Sequence, residues 1–495
     1  MNVLVSGGTG AIGPTVVSAL IARGHTVRLF SRHAEHDSRA WPRNVNPLEG
    51  DVTDPSSLDG AADGCDAVVH LVGIIEEAPP DATFQRVNVE GTRNIVREAE
   101  RAGVPRFVYV SSLGSVRGQS PYHRSKRDAE EIVRGFARAW IIVRPGAVYG
   151  PGDEHISSLL KMVRTLPAIP LIGDGSQLFQ PIWHEDAAGA IAQAVERDDL
   201  VGGEYDIAGD DMTSERDLLA RLQRLTNRAT IGLPIPELLA QVGLKAAELV
   251  GVDVGFSETQ LQMLIEGNVL PADANNALTR VFDITPMPLE KGLRLLADLQ
   301  PEQLPDRGVG PLTRKRYWTD IRGTTLDADG LLDHVRARFA WLAPEIMSVA
   351  AEPGAPPPSI EEGATLTLSI PLRGHVQVRV AEVDDRRFTL LTVGGHPLSG
   401  AVRFQTESLG DALRFEVQTY ERAASIPDLV LMRTLGGSLQ DRAWTHLIEN
   451  VVRDTGGRAG EVRQASESLA ASEAAVVQRW AEELVVLRKQ READL

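Results

Sequence analysis

The sequence predicts an α/β fold for its first three hundred residues, a doubly wound parallel sheet with a small substrate lobe. A separate antiparallel α+β domain is expected to follow. Three observations carry that reading. The chain opens on a short apolar run, VLV at 3–5, that passes straight into glycines and then into an amphipathic stretch. Continuous apolar runs then alternate with amphipathic ones to about residue 150, as in a parallel sheet covered by helices on both faces. Beyond residue 360 the pattern becomes strict period-two alternation, the mark of a half-buried antiparallel sheet.

Taken in order, VLV is the first strand, and Ile12, Val16, Val17, Leu20 and Ile21 form an apolar helical stripe that ends at Gly24. HTVRLF starts a second strand. VVHLVGI (68–74), RFVYVSS (106–112) and WIIVRPG (140–146) read as strands, and NIVREAERAG (94–103) as a helix between them. From about 150 to 305 the chain is more helical and richer in proline, with ERDLLARLQRLT (215–226) and SETQLQMLIEG (257–267) as helices of the lobe. QPEQLPDRGVGPLTRKR (300–316) reads as a domain boundary. DADGLLDHVRARFAWLA (327–343) is helix-like, and AAEPGAPPPS (350–359) is a proline-rich linker. The alternating runs are TLTLSI (365–370), VQVRVAEV (376–383), RFTLLTV (387–393), AVRFQT (401–406) and LRFEVQTY (413–420), and helical stretches at 434–454 and 465–491 close the chain. The expected domains are therefore 1–305, with the lobe mainly at 150–305, then 311–460, then a C-terminal helix at 461–495.

At 495 residues the chain is too long for one ordinary domain. A formal charge of −17 argues against a nucleic-acid or anionic-membrane surface. No apolar run is long enough to span a bilayer. The single cysteine, Cys65, rules out an internal disulfide and a thiolate zinc cage. No metal site is expected. The first strand begins at Asn2 or Val3, so a leader is not expected, and the expected location is the cytoplasm.

Gly7, Gly10 and Gly13 fall at G-x-x-G-x-x-G spacing between a strand and a helix, the context of a dinucleotide fingerprint. Glycines let the backbone approach a pyrophosphate, and the helix N-terminus offers it free N–H groups. The segment Gly7, Thr9, Gly10, Ala11, Ile12 and Gly13 is the candidate cradle. The second strand ends Ser31-Arg32 with no acid to hold a ribose 2′-hydroxyl; Arg32 and Ser31 suit a 2′-phosphate instead, so NADP(H) is expected in preference to NAD(H). A solvated Arg32 is the plainer alternative. Asp51 reads equally as an adenine contact or as a turn residue. Tyr122 and Lys126 share a helix face at i and i+4, so the ammonium is expected to lie near the phenol and lower its pKa. Such a tyrosine exchanges a proton at a carbonyl or hydroxyl carbon near neutral pH.

Together GGTGAIG, GDVTD, VVHLVG, VNVEGT, FVYVSS, YHRSK and RPGAVYGPGD resemble the extended and atypical short-chain dehydrogenase/reductase superfamily, over about residues 1–305. Within it the likeness is to bacterial relatives of the NADPH-binding accessory subunit of respiratory complex I. The resemblance implies a Rossmann domain in which Gly7, Gly10 and Gly13 hold pyrophosphate and Arg32 the adenosine phosphate. Asp51 and Val52 would flank adenine, and Leu71, Val72 and Gly73 would line the ribose side, with Ser111 nearby. Tyr122 would be the proton donor, Lys126 would hold the nicotinamide ribose, and Pro145 and Gly146 would sit behind the nicotinamide. The superfamily's catalytic Ser or Thr commonly follows the SS pair, where this chain has Leu113; Ser112 or Ser115 is then the substitute.

FTLLTVGGHPLSGAVRF (388–404) and LRFEVQTYERAAS (413–425) weakly resemble a small uncharacterised bacterial and plant family with a START-like, helix-grip fold. That fold implies an apolar cavity, with Leu366, Leu368, Ile370, Phe404, Phe415 and Val417 inward; simple core packing is the even alternative. His396, beside a proline in a turn, reads as structural. Leu469, Val476, Trp480, Leu484 and Leu487 form a stripe that must pack on this chain or on a second subunit. The leading expectation is an NADP(H)-dependent oxidoreductase acting on an apolar small molecule. The others are a non-catalytic NADPH-binding scaffold, assembly or redox-sensing protein, and a sugar-nucleotide epimerase or dehydratase.

Overall fold

The computed structural model describes residues 1–38, 41, 44–151, 153, 155–237, 258–271, 274–344, 348–349, 360–370, 374–432 and 437–493. The proline-rich stretch 350–359 lies outside them, as do Gly152 and Glu154 of the GPGDE segment. The chain divides into two compact units. The first is Met1–Leu159, Ala168–Leu222 and Ile231–Leu296; the second is Leu160–Pro167, Gln223–Thr230 and Ala297–Leu495.

The first unit is built on seven parallel strands: β1 (Asn2–Ser6), β2 (Thr26–Ser31), β3 (Val45–Glu49), β4 (Ala67–His70), β5 (Arg106–Val110), β6 (Ala139–Pro145) and β7 (Glu204–Ile207), in the spatial order β7-β6-β5-β4-β1-β2-β3. Side chains alternate between two buried faces. Val3, Val5, Val69, Val108 and Ile141 pack on one side with α1 (Gly13–Ala22) and α4 (His184–Glu196). Leu4, Val68, Phe107, Tyr109 and Ile142 pack on the other with α2 (Gly91–Arg101) and α3 (Pro121–Arg134). Both faces being dry explains why these strands read as unbroken apolar runs. The chain winds outward through β1, β2 and β3, then restarts at β4 on the opposite side of β1. This switch point, where β1 and β4 pair as Val3↔Ala67 through Ser6↔His70, opens a crevice at the carboxyl ends of the strands. A second lobe holds short paired strands, such as Ala147–Tyr149 with Pro181–Trp183, the helix Glu215–Thr226 and α5 (Glu258–Glu266).

The second unit is an eight-stranded antiparallel sheet: β8 (Val309–Ile321), β9 (Ser348–Val349), β10 (Thr365–Ile370), β11 (Gly374–Val383), β12 (Arg387–Thr392), β13 (Leu398–Leu409), β14 (Ala412–Ala423) and β15 (Arg463–Ser468), ordered β9-β10-β11-β12-β13-β14-β8-β15. One face buries α6 (Ala328–Ala337), α7 (Phe339–Leu342) and α8 (Gly437–Asp454). Phe388 stacks on Phe404 at 4.5 Å, and Phe339 and Trp444 meet Phe404 edge-on. Ala381, Leu391 and Ala401 on the other face receive Ala481 and Leu484 of α9 (Ala471–Ala493). Of the stripe on α9, Leu484 is buried while Val476 is 56% and Leu487 40% exposed. Leu366, Leu368, Phe404, Phe415 and Val417 are core residues, and Ile370 packs against them half-buried.

The segment read as a boundary over 300–316 ends inside a thirteen-residue strand, β8, paired on both sides. One expectation is corrected. Residues 463–468, read at their far end as the start of a helix, form β15, whose six side chains are all exposed; the helix begins at Ala471.

Because Phe404 is fully buried against three aromatic rings, Phe404→Ala is expected to cost about 3–5 kcal/mol. Calorimetry of the full chain should show the loss.

Candidate active site

The glycine segment divides its labour. Gly7 has φ +77, and a Cβ there would stand 2.8 Å from the Val72 nitrogen, so the turn after β1 lies directly on the chain leaving β4. A Cβ on Gly13 would lie 2.3 Å from the Gly8 carbonyl, which fixes α1 tightly against the turn. At Gly10 a Cβ would meet only the Gly7 oxygen, at 3.3 Å, and Gly10 and Ala11 are exposed while Thr9 and Ile12 are half-buried. Gly10 is thus the open side of the cradle. No side chain caps α1 and its first turn carries no acid, so its amino end presents an uncompensated positive dipole, although the Gly13 N–H donates to the Gly10 carbonyl at 3.0 Å and Pro14 has none.

At the end of β2, Ser31 Oγ is buried without a hydrogen-bond partner, and Arg32 is exposed with no ion pair among the described residues. Asp51 follows β3; its Oδ1 accepts from the Thr53 nitrogen at 2.8 Å and the Thr53 hydroxyl at 2.9 Å, the turn role foreseen as its alternative. Val52 is buried beneath Gly91, whose Cβ would approach it to 2.8 Å. Leu71 donates its N–H to the Ser6 carbonyl at 2.9 Å, closing the crevice floor.

Ser111 and Ser112 leave β5 at the same edge. Ser111 Oγ donates to Glu130 Oε1 at 2.5 Å, and so does Ser115 Oγ at 2.6 Å. Glu130 also accepts from Arg144 at 2.8 and 2.6 Å. Burial pushes the Glu130 carboxyl up, but the guanidinium and the two hydroxyls outweigh it and hold the acid ionised. Ser115 is thereby committed, leaving Ser112, whose hydroxyl is near enough to the Tyr122 phenol to favour its ionised form and accepts from the Gly114 nitrogen at 3.3 Å. Leu113 is buried.

Lys126 does not act on the phenol as its spacing suggests. Its Nζ donates to the Val110 carbonyl at 2.8 Å, lies 4.5 Å over the Tyr109 ring and would stand 3.3 Å from a Cβ on Gly73. Burial draws the ammonium down to about 7. Burial likewise pushes the Tyr122 phenol up to about 12, with the Ser112 bond pulling the other way. The expected lowering of Tyr122 is therefore corrected: desolvation of the phenolate wins.

Sequence reasoning passed over Asn88, which sits in a π-helical turn (Gln85–Glu90), an irregularity that favours functional sites. Its amide donates to the Ile74 carbonyl at 3.1 Å and Ser125 Oγ at 2.9 Å; Ser125 in turn donates to the Tyr122 carbonyl at 2.7 Å. His70 was also passed over. Thr92 spends its proton on the Asn88 carbonyl, so His70 Nε2 donates to Thr92 at 3.0 Å and Nδ1 accepts from Ser6 at 2.6 Å. Burial draws His70 down to about 3, and it bridges β1, β4 and α2 as a neutral ring. At the end of β6 both Pro145 and Gly146 are buried, and a Cβ on Gly146 would lie 2.5 Å from the Gln180 carbonyl.

Cradle, strand-end serine and arginine, and the Ser112–Tyr122 pair with Lys126 thus follow strands of one sheet at one edge. Residues 3–208 match the NAD dependent epimerase/dehydratase family. This part of the chain is thus similar to that family and carries a parallel, Rossmann-type sheet. Its relatives include ceramide reductase of Caulobacter vibrioides, 35% identical over 187 residues, 38% of this chain and 58% of that protein. The 3 beta-hydroxysteroid dehydrogenase/Delta 5-->4-isomerase of Mycobacterium tuberculosis is 34% identical over 181 residues, 31% of this chain and 48% of that one. The chain thus spans about half the length of these two relatives. The mitochondrial NADH dehydrogenase [ubiquinone] 1 alpha subcomplex subunit 9 of Arabidopsis thaliana is 27% identical over 300 residues, 58% of this chain and 74% of its own. No helix among the described residues is long and apolar enough to cross a membrane.

The residues present fit a nicotinamide dinucleotide: the cradle is open at Gly10, and the buried Ser31 hydroxyl, without a partner among the described residues, adjoins Arg32, which has no ion pair among them.

Lys126 supplies a pH-dependent test. Its folded pKa of about 7 lies below the ordinary 10.5, so the unfolded chain binds the extra proton between those values. The folding penalty is full below pH 7 and fades as pH rises toward 10.5. Lys126→Met should raise the Tm of the ligand-free protein at pH 6 and leave it nearly unchanged at pH 10, read by thermal melts across pH.

Proposed function

We propose that the protein is an NADP(H)-dependent oxidoreductase that reduces a carbonyl carbon on an apolar small molecule. The observation that carries this reading is the meeting of the Ser112 and Tyr122 hydroxyls at the crevice edge, with Lys126 buried beside Gly73. The relatives named for ceramide and steroid substrates support the apolar class. The second unit is proposed to share the helix-grip arrangement, on the strength of its antiparallel sheet with α8 packed on one face.

In this reading the open backbone at Gly10 and the amino end of α1 hold the pyrophosphate, and Ser31 and Arg32 hold the 2′-phosphate. Lys126 anchors the nicotinamide ribose near Gly73, with Pro145 and Gly146 as the wall behind the ring. When bound, the cofactor supplies the hydride. Tyr122, at about 12, keeps its proton at neutral pH and gives it to the substrate oxygen. A phenol so placed is a donor rather than a base, which favours reduction. Ser112 steers that oxygen toward the phenol.

A second reading, a protein that binds NADPH without turnover, is favoured by the buried Leu113 at the superfamily's usual serine position.

Two measurements test these readings, the first the cofactor choice they share and the second the turnover that separates them. NADPH should bind more than about tenfold tighter than NADH, since a charge-assisted bond to phosphate contributes roughly 1.5–3 kcal/mol; Arg32→Ala should erase the difference in a fluorescence titration. In a turnover screen of steroid and long-chain ketones with NADPH, Tyr122→Phe should lower kcat about 100-fold or more while keeping NADPH affinity. Tight NADPH binding with no turnover of any ketone would select the second reading.

A further inference from the structure

The loop joining Ser112 to Tyr122 is wrapped around one side chain of the helix that follows it. His123 is 1% exposed. A Cβ on Gly114 would lie 2.1 Å from its Nε2, and one on Gly118 would lie 2.2 Å from its Nδ1, so both loop glycines rest on the imidazole. Arg127, one turn further along α3, donates to the Ser115 and Gly118 carbonyls, each at 2.7 Å. The imidazole is held from outside by a residue 143 positions away: Nδ1 donates to Glu266 Oε2 at 2.6 Å. Glu266 Oε1 accepts from the Gln119 nitrogen in the same loop at 2.8 Å.

Glu266 is the last residue of α5, and the chain after it reaches the opposite wall of the site. The Asn268 carbonyl accepts from the Gln180 nitrogen at 2.9 Å, and the Leu270 nitrogen donates to Gln180 Oε1 at 3.1 Å. Gln180 is the residue whose carbonyl crowds Gly146. Residues 266–270 therefore span from the neighbour of Tyr122 to the neighbour of Gly146.

We propose that Glu266 is a positioning residue for the Ser112–Tyr122 pair, acting through His123, so that the second lobe and not the sheet alone sets where the Tyr122 phenol points. The proposal rests on the reading of that pair as the reacting groups. A bond between an imidazole N–H and a carboxylate is short and directional, and here, with the imidazole buried, it fixes the ring on which the loop is moulded. Ser112 enters that loop and Tyr122 leaves it, so loss of the bond frees both ends together. Misplacement by an ångström is enough to cost orders of magnitude in rate.

The test uses the full chain with 13Cζ-labelled tyrosine. The sequence has six tyrosines, and the Tyr122 resonance is assigned by its disappearance in Tyr122→Phe. In Glu266→Ala, the Tyr122 resonance should move while those of Tyr205, Tyr317 and Tyr420 stay, and NADPH affinity should remain within about twofold of the parent. With a ketone substrate, kcat should fall about tenfold or more at that unchanged affinity. Glu266→Gln, which keeps one acceptor oxygen, should fall between, and it decides the matter alone if the alanine variant does not fold. A Tyr122 resonance unmoved in a folded variant overturns the proposal. So does equal movement of every tyrosine, which reports general loosening. The resonance needs no turnover, so an absent reaction would refute the enzymatic reading while leaving this inference to stand or fall on its own signal.

Discussion

Covering both faces of the parallel sheet is the constraint from which the rest of the first unit follows. With Val3, Val5 and Val69 buried on one side and Leu4, Val68 and Phe107 on the other, the faces have no room for solvated polar chemistry. Polar groups collect where the strands stop. The switch between β1 and β4 opens a crevice at that edge, and the glycines after β1 let the chain leave it without filling it. Two of the polar residues that do lie inside are matched by their neighbours. His70 is neutral between Ser6 and Thr92, and the ionised Glu130 is paired with Arg144 and accepts from two hydroxyls.

Glu130 shows how the structure sorts residues of one type into different tasks. Three serines lie within five positions, and two of them face the same buried carboxylate. Their hydroxyls are spent on making that acid tolerable. Arg144, whose other partners are Glu204 and Asp206, ties β6 and β7 to α3 through the same carboxylate. Ser112 is not drawn to that carboxylate; it accepts from the Gly114 nitrogen and lies near the Tyr122 phenol. Distinguishing the three requires knowing where Glu130 lies, which no local pattern of serines reveals.

Much of the architecture was nevertheless legible. Strands buried on both faces leave unbroken apolar runs, and strands buried on one leave alternation, so β4 to β6 and β10 to β14 were each marked in the sequence. The missed strands are those whose stability comes from distant residues. β8 carries Arg314, Lys315 and Arg316 in succession and looks like a solvated linker. Its charges are answered across the sheet: Arg316 by Glu416 at 2.5 Å and Lys315 by Glu421 at 3.2 Å. β15 has no apolar side chain larger than alanine, so neither period could mark it. Within the site, the cradle, Ser31, Arg32, Tyr122 and Lys126 came from motif and spacing. The Glu266 contact could not, being 143 residues from its partner. The direction of the Tyr122 shift was also out of reach, because spacing places an ammonium near a phenol but does not reveal that a backbone carbonyl already holds it.

The two margins of the antiparallel sheet matter in another way. An open row of eight strands presents unpaired amides and carbonyls at each end, a template onto which a neighbouring molecule could add. One end is β9, two residues long among the described residues, too short to template much. The other is β15, RQASES, with an arginine first, a glutamate next to last and no branched or aromatic residue. A foreign strand laid there would have to desolvate those charges while gaining almost no apolar contact. The polarity that hid this strand from view in the sequence thus guards the protein, at high concentration in a crowded cell, against joining its own copies into fibres.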